Sequence, residues 1–175
     1  MTAAANQLGQ DELYLQAASE YGPALERLAG AYELNADKRR DLLQDVHVGL
    51  WRSFADYDRR CSLRTWVYRV AHNIATSHVM RERRMRAETL YAIEELENIP
   101  DSRQGERAAE QEALARLHTL IERLKPLDRQ VILSYLEGMD AAAIGEITGL
   151  SPGNIATKVH RIKSILARDF ERGVA

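Results

Sequence analysis

The chain is 175 residues long, which allows one moderate domain or two small ones, and it is 45% hydrophobic with only 6% aromatic residues, a balance that favours helices packed through Leu, Ile, Val and Ala. No apolar stretch is long enough to span a membrane and no basic-then-apolar leader is present, so we expect a cytoplasmic protein without membrane insertion. The single cysteine, Cys61, excludes an internal disulfide, and the five histidines lack the spacing of zinc ligands, so we expect neither a metal nor another cofactor.

The formal net charge of −2 hides an uneven distribution of charge along the chain. Residues 59–86 hold eight arginines against one glutamate, whereas the segments on either side, 1–58 and 87–115, are acidic by five and six charges. The last segment, 116–175, is basic by two charges. Because binding to nucleic-acid phosphates depends on local cationic density, the sequence predicts one strong and one weaker phosphate-binding surface.

The first segment predicts frayed residues at 1–10 and a helical stretch at 12–32 that Gly22-Pro23 interrupts, since proline removes a backbone donor. Apolar residues at helical spacing predict the next helix over 37–54. Its opposite face carries a line of mostly charged residues: Asp41, Asp45, Val48 and Arg52. This line is either a solvated face or a docking strip for a basic partner, and periodicity alone does not separate the two interpretations.

A short polar loop leads to Ser62, which we expect to cap the next helix. Its inward stripe is apolar: Leu63, Trp66, Val67, Val70 and Ile74. The residues expected to face outward are polar: Arg64, Thr65, Arg69, His72, Asn73 and Thr76. The helix continues into the arginine-rich run 81–86. Arginine forks onto phosphate oxygens and stacks on bases, so the pattern favours a nucleic-acid surface over the alternative, a solvated helix end.

Residues 87–111 are acidic, with proline and glycine near their centre, and predict a linker between two helical domains. After the linker, leucines at helical spacing predict a helix that stops before Pro126. A second helix is expected to be capped by Asp128 and to end at Gly138. These two helices would support the last pair of the chain.

That last pair of helices predicts a helix-turn-helix motif. Asp140 can cap the first helix, Gly149 can adopt the positive φ of a tight turn, and Ser151 with Pro152 can begin the second. The second helix buries a regular apolar stripe: Ile155, Val159, Ile162 and Leu166. Its outward face is polar and basic: Asn154, Thr157, Lys158 and Arg161. The pattern favours a DNA-reading helix, and a plain helical hairpin is the alternative.

Other functional classes fit the sequence less well. We expect no enzyme, because the sequence has no nucleophile elbow, phosphate-binding loop, dinucleotide-binding or zinc-hydrolase pattern. A stand-alone helix-turn-helix transcriptional regulator would need a receiver or ligand-binding domain upstream, and residues 1–86 show no alternating strand-helix pattern. A helical adaptor that binds only protein would explain the acidic face but not the basic block.

Three stretches resemble bacterial extracytoplasmic-function (ECF) sigma factors, the small two-domain specificity subunits of RNA polymerase in the sigma-70 family. Residues 41–52, DLLQDVHVGLWR, are similar to the core-binding helix of that family. Residues 63–75, LRTWVYRVAHNIA, with the arginines that follow, resemble its promoter-melting segment. Residues 124–161 resemble its second DNA-binding domain, with Gly145 where the family usually has alanine.

The resemblance implies an all-α fold of two small helical domains joined by a linker. It implies a promoter-melting and core-binding domain at 11–86, an acidic linker at 87–111 and a helix-turn-helix domain at 112–172. The implied function is to bind core polymerase, recognise the minus 35 and minus 10 promoter elements and direct transcription initiation. The implied partners are the β′ clamp helices and the β flap of polymerase, promoter DNA and an anti-sigma factor from a separate chain.

The resemblance also implies three sets of site residues, none of them catalytic. The polymerase-binding set is Asp41, Gln44, Asp45, Val48 and Arg52. The minus 10 set is Arg59, Arg60, Ser62, Arg69, His72, Asn73, Thr76, Arg83 and Arg84. The minus 35 set is Ser151, Asn154, Thr157, Lys158 and Arg161.

Overall fold

The structure is a computed structural model that describes residues 2–90 and 106–172. Within these ranges the chain forms seven α-helices and one short 3-10 helix, Phe54–Asp56, and no strand. The α-helices are α1 (Thr2–Tyr32), α2 (Ala36–Ser53), α3 (Leu63–Leu90), α4 (Glu106–Glu122), α5 (Pro126–Leu136), α6 (Ala141–Thr148) and α7 (Pro152–Arg172). The all-α prediction is confirmed. None of these helices combines the length and apolar character needed to cross a membrane.

Helix α1 is continuous, so the predicted break at Gly22-Pro23 is wrong. Gly22 has no Cβ to clash with the ring of Pro23, which removes part of the usual obstacle to helix before proline. Buried residues on both sides, Ala17 and Leu25, anchor α1 in the core it shares with α2 and α3. Residues 2–10, expected to be frayed, are helical as well, and the Gln10 side-chain amide donates to the carbonyl of Trp51 at 2.6 Å.

The predicted cap of α3 is confirmed, since the amide of Thr65 donates to Ser62 Oγ at 3.0 Å. The expected orientation of that helix is only partly correct. Tyr68, Ala71 and Ala75 are fully buried, and so is Thr65, which was expected to face outward. A single apolar stripe describes a helix with one packed side. Helix α3 is packed on two sides, because α1 and α2 lie against one face and α5 and α6 against another.

The second half of the chain, α4–α7, folds around Ile121, Val131, Ile144 and Ile162, all of which are buried. The caps of the helix-turn-helix are confirmed. Asp140 accepts from the amide of Ala143 at 2.8 Å, and Gly149 ends α6 with a φ of 76°.

Asp128 does not cap α5, contrary to expectation. Helix α5 starts at Pro126, with Lys125 before it, and Asp128 lies inside the first turn. The Asp128 carboxylate instead reaches across to α7, where it contacts two basic side chains. A tertiary ion pair has therefore replaced the local capping bond.

The predicted linker, 87–111, is partly helical. Helix α3 extends to Leu90 and α4 begins at Glu106, while the rest of the linker lies outside the described residues. On either side of it the two halves of the chain touch. Helix α4 packs against α1, and α5 and α6 pack against α3. This contact decides which of the predicted site residues are accessible.

Candidate nucleic-acid and partner interfaces

The first candidate surface lies on α2. We name it the α2 strip: Asp41, Gln44, Asp45, Val48 and Arg52, all of which are exposed. Helix α2 begins where Asn35 accepts from the amides of Asp37 and Lys38, and it buries Leu42, Val46 and Leu50. The strip is the opposite face of that amphipathic helix, so its side chains point to solvent as the sequence predicts.

A groove of about 370 Å³ runs between the α2 strip and α3. Asp45 and Arg52 line it from α2, and Asn73 and Arg81 line it from α3. Asp45 Oδ2 lies 3.6 Å from Arg81 Nη2. The pair is exposed on both sides, so it is weak and a competing cation can replace it. Asn73, predicted as a minus 10 residue, therefore lies beside the strip.

The loop between α2 and α3 holds three of the predicted minus 10 residues, Arg59, Arg60 and Ser62, and all three are exposed. Tyr57 Oη donates to the carbonyl of Cys61 at 2.9 Å and closes the loop. The ring of Tyr57 also lies 5.2 Å from that of Trp66. Arg59 has a φ of 61°, a conformation that is uncommon for a non-glycine residue. The loop is thus held in a defined shape.

His72 is completely buried, so its expected outward position is wrong. Its Nδ1 lies 3.0 Å from Tyr32 Oη, and its Nε2 lies 3.1 Å from Ser134 Oγ. Burial lowers the pKa of His72 from 6.5 to about 3. The ring is therefore neutral at physiological pH and does not supply a positive charge to a phosphate.

Two further residues of the minus 10 set, Arg69 and Thr76, are only partly exposed, because the C-terminal half of the chain covers them. Arg69 Nη2 donates to the carbonyl of Glu146 on α6 at 2.9 Å. The side-chain amide Nε2 of Gln130 on α5 donates to Thr76 Oγ1 at 3.1 Å. Arg83 and Arg84, farther along α3, are exposed. The minus 10 set is thus divided into an accessible part and a covered part.

Glu137, at the end of α5, is the centre of the contact between the two halves. Arg27 Nε and Nη2 both donate to its carboxylate at 2.8 Å, and Tyr68 Oη donates to Oε2 at 3.2 Å. The Arg64 guanidinium donates to the Glu137 backbone carbonyl. The hydrogen bonds from Arg27 lower the pKa of the Glu137 carboxyl. Glu137 was not singled out from the sequence, because a lone glutamate before a turn glycine carries no local signal for a distant arginine.

The third candidate surface lies on the helix-turn-helix. Four residues of the minus 35 set line one groove of about 240 Å³ together with Leu150: Asn154, Thr157, Lys158 and Arg161. Ser151 immediately precedes α7, and its Oγ accepts from the amide of Asn154 at 3.4 Å. Ile155, Val159 and Ile162 on the other face are buried. The structure therefore brings this set together as the sequence predicts.

Asp128 adds a carboxylate to this surface. Lys158 Nζ lies 2.5 Å from Oδ1, and Arg161 Nη2 lies 3.0 Å from Oδ2. The sequence did contain a signal, an acidic residue in the predicted support helix, but a capping role explained it locally. Only the packing of α5 against α7 puts it beside the two cations.

Comparison with known proteins agrees with this arrangement. The family model of Sigma-70 region 2 matches residues 17–85, and that of Sigma-70 region 4 matches residues 114–166. The two matches together span more than half of the chain and contain α2, most of α3, and α6 with most of α7.

The chain belongs to the sigma-70 family. Its relatives place it among the ECF sigma factors. It is 28% identical over 172 residues to the ECF RNA polymerase sigma factor SigE of Mycolicibacterium smegmatis, covering 91% of this chain and 60% of SigE. It is 26% identical to the RNA polymerase sigma factor CarQ of Myxococcus xanthus, with 87% and 86% of the two chains covered. It is 21% identical to the ECF RNA polymerase sigma factor SigX of Bacillus subtilis, with 77% and 72% covered.

This ECF sigma factor thus spans less than two thirds of the length of SigE. Solved structures share its fold. The structure of CnrH in complex with the cytosolic domain of CnrY matches with a TM-score of 0.69 at 22% identity, covering 97% of this chain and 95% of the other. The sigma factor RpoE in complex with the anti-sigma factor NepR from Bartonella quintana matches with a TM-score of 0.69 at 21% identity, covering 91% and 96%.

In the terms of this family, α2 and α3 belong to region 2 and α5–α7 to region 4. The α2 strip and the exposed loop residues therefore lie in region 2 of the sigma factor, and the minus 35 set lies in region 4. The bonds from Arg27 to Glu137 and from His72 to Ser134 join region 2 to region 4. The family consists of sigma factors, which are not catalysts.

Proposed function

We propose that this ECF sigma factor binds core RNA polymerase, recognises the minus 35 and minus 10 promoter elements and directs transcription initiation. One observation carries the proposal. A single chain combines an exposed α2 strip inside the match to Sigma-70 region 2 with an exposed helix-turn-helix face inside the match to region 4. A protein with both can hold polymerase and promoter DNA together, which neither surface does alone.

In this proposal the α2 strip docks on the β′ clamp helices of polymerase. Three charged side chains are exposed on one face of α2 and can form ion pairs with a partner: Asp41, Asp45 and Arg52. Complementary charge steers association and fixes the register of a helix-on-helix contact. Val48, which is 42% exposed, supplies an apolar contact in the middle of the strip. Region 4 would contact the β flap.

Region 4 reads the minus 35 duplex in the major groove. The polar face of α7 fits this role, because its amide and hydroxyl side chains can bond to base edges while its cations bond to phosphates or to guanine. Asn154 and Thr157 are exposed near the start of the helix, where a recognition helix enters the groove. Ser151 positions that start.

Region 2 captures the minus 10 element through the preformed loop and α3. Arg59 and Arg60 can bond to the backbone of the displaced strand, and Arg83 and Arg84 extend the basic surface. Arg69 and Thr76 become available only when region 4 moves off α3, because their present partners are Glu146 and Gln130. We leave His72 out of the contact set, since it is buried and neutral.

The partners follow from the same reasoning. Two solved structures of similar fold are complexes of two proteins: CnrH with the cytosolic domain of CnrY, and the sigma factor RpoE with the anti-sigma factor NepR. We propose that a separate anti-sigma chain likewise regulates this protein. Its place of action is that of polymerase, the cytoplasm.

The test is run-off transcription on genomic fragments with core polymerase, with and without the purified protein. We expect discrete transcripts only when both are present, and weak duplex binding by the protein alone. Tight sequence-specific binding without polymerase, together with no effect on transcript start sites, would instead support a stand-alone helix-turn-helix regulator.

A further inference from the structure

The minus 35 face contains one acidic group that the proposed function does not use. Asp128 is only 8% exposed, yet both of its carboxylate oxygens point at cations of α7. Lys158 contacts Oδ1 and Arg161 contacts Oδ2, so each oxygen has its own partner. Lys158 and Arg161 line the same groove as Asn154. A carboxylate buried at a surface meant for phosphates calls for a physical reason.

We propose that Asp128 determines the specificity of the minus 35 contact: it fixes Lys158 and Arg161 in one arrangement and cancels one of their two positive charges. The inference rests on the proposed function, because it names a further residue of the same DNA-reading surface. Asp128 is a positioning residue in this scheme and bonds to the two cations, not to DNA.

Because Asp128 holds Lys158 and Arg161 in place, it changes the conformational entropy of DNA binding. Lysine and arginine side chains lose considerable rotamer freedom when they are held in place. In this protein the loss occurs on folding, since Asp128 holds Lys158 Nζ at 2.5 Å and Arg161 Nη2 at 3.0 Å before DNA arrives. A cation that is already held in one position binds most tightly to a duplex whose groove presents hydrogen-bond acceptors at the matching positions.

Because Asp128 cancels one positive charge, it also weakens the binding of non-specific DNA. Every phosphate that a cation neutralises strengthens binding to any sequence and steepens its salt dependence. With Asp128 in place, Lys158 and Arg161 act together as one net positive charge. Unspecific duplex is therefore held less strongly than two free cations would hold it, while base-edge contacts from Asn154 are unaffected. The ratio of specific to unspecific affinity rises.

The contacts of Asp128 with Lys158 and Arg161 do not depend on how region 2 and region 4 are arranged. Asp128 lies on α5, and both of its partners lie on α7, so all three belong to region 4. Asp128 is also in the first turn of α5, where the helix dipole favours a carboxylate. The cluster therefore persists when region 4 moves to meet DNA on polymerase.

The experiment uses the holoenzyme reconstituted from full-length protein and core polymerase. One probe is a promoter fragment identified by run-off transcription. The other is the same fragment with its minus 35 element scrambled. Affinity for both is measured over a series of salt concentrations for wild type, Asp128→Asn and Asp128→Glu. Asn keeps the volume of the side chain and removes its charge, whereas Glu keeps the charge.

For D128N we expect the ratio of affinities for the intact and scrambled fragments to fall by about tenfold. Most of the change should come from tighter binding of the scrambled fragment, with its salt slope steeper by about one unit. D128E should recover part of the ratio. An unchanged ratio would overturn the inference, as would an equal loss of affinity for both fragments.

Lys158→Met gives a second measurement that does not require D128N to be stable. If Asp128 acts through Lys158, D128N should change the ratio less in the K158M background than in wild type. Equal effects in both backgrounds would overturn the inference even if every variant folds. If wild-type holoenzyme fails to start at any promoter, the proposed function itself fails, and the inference falls with it. Failure of the inference alone leaves wild-type initiation intact.

Discussion

The Nε2 atom of His72 on α3 lies 3.1 Å from the Oγ atom of Ser134 on α5, and both residues are buried. This bond ties the DNA-handling helix of region 2 to a support helix of region 4. It matters because His72, Arg69 and Thr76 then face protein. We call this arrangement, in which α5 and α6 pack against α3, the closed arrangement; it is incompatible with full exposure of the predicted minus 10 surface.

The first prediction is that acid opens this closed arrangement. Burial lowers the pKa of His72 to about 3, against an ordinary value of 6.5. A histidine with a lowered pKa binds fewer protons when buried than when exposed, so the stability it contributes is present above pH 6.5 and is lost as pH falls towards 3. Each unit below about pH 6.5 should favour opening by up to about 1.4 kcal/mol.

Small-angle X-ray scattering between pH 8 and pH 5 measures this opening, because the radius of gyration should rise below about pH 6.5. The control is His72→Gln, which keeps hydrogen-bonding groups and does not titrate. Its radius should be much less sensitive to pH over the same range. An identical pH response in wild type and H72Q would show that His72 is not the group responsible.

The second prediction concerns Glu137, whose carboxylate accepts hydrogen bonds from both Arg27 and Tyr68. Glu137→Ala should shift the closed arrangement towards opening by roughly fivefold, about 1 kcal/mol, because the Arg27 side chain is exposed and water screens its ion pair. Hydrogen exchange of the α3 amides should become faster in E137A.

Glu146→Ala is the matched control for that variant. Arg69 donates to the backbone carbonyl of Glu146, and the exposed carboxylate of Glu146 takes no part in that bond. E146A should therefore leave α3 exchange close to wild type. If both variants accelerate exchange equally, the loss of an acidic side chain in general, and not the Glu137 contact, is the cause.

The third prediction is that Gly145→Ala destabilises region 4. A Cβ at this position would lie 2.7 Å from the backbone carbonyl oxygen of Leu150, which a turn residue cannot move cheaply. Overpacking of this kind costs about 1 to 3 kcal/mol, which thermal unfolding would detect.

Gly153→Ala, in the first turn of α7, provides the control because nothing lies within 4 Å of its Cβ position. It should be neutral or stabilise the protein by up to about 1 kcal/mol through helix propensity. Equal stability of G145A and G153A would contradict the clash expected at Gly145.

Local patterns predicted the caps of α3 and α6 and the exposed faces of α2 and α7, but not the continuity of α1 through Gly22-Pro23. Ser62, Asp140 and Gly149 act as expected, because a cap or a turn depends on neighbours within a few residues. The orientation of His72 and the role of Asp128 were predicted wrongly for one shared reason. Each is determined by a helix that is distant in sequence, α5 for His72 and α7 for Asp128, and helical periodicity carries no information about a second packing partner.

The last prediction tests the α2 strip. Asp45→Arg reverses a charge at an exposed position and places the new guanidinium beside Arg81, which now lies 3.6 Å from the Asp45 carboxylate. Two cations would then face the basic groups expected on the clamp helices, and like charges across an interface cost several kcal/mol. Association with core polymerase should fall by at least about tenfold, with the helical content unchanged because the residue does not pack in the core.

Glu12→Arg is the matched control: it makes the same charge change at an exposed position of α1 that is not part of the strip. Co-purification with core polymerase and circular dichroism are measured for both variants. E12R should bind polymerase like wild type. If D45R also co-purifies at the wild-type level, the α2 strip is not the docking surface, whereas equal loss in both variants would point to a general effect of charge and not to this face of α2.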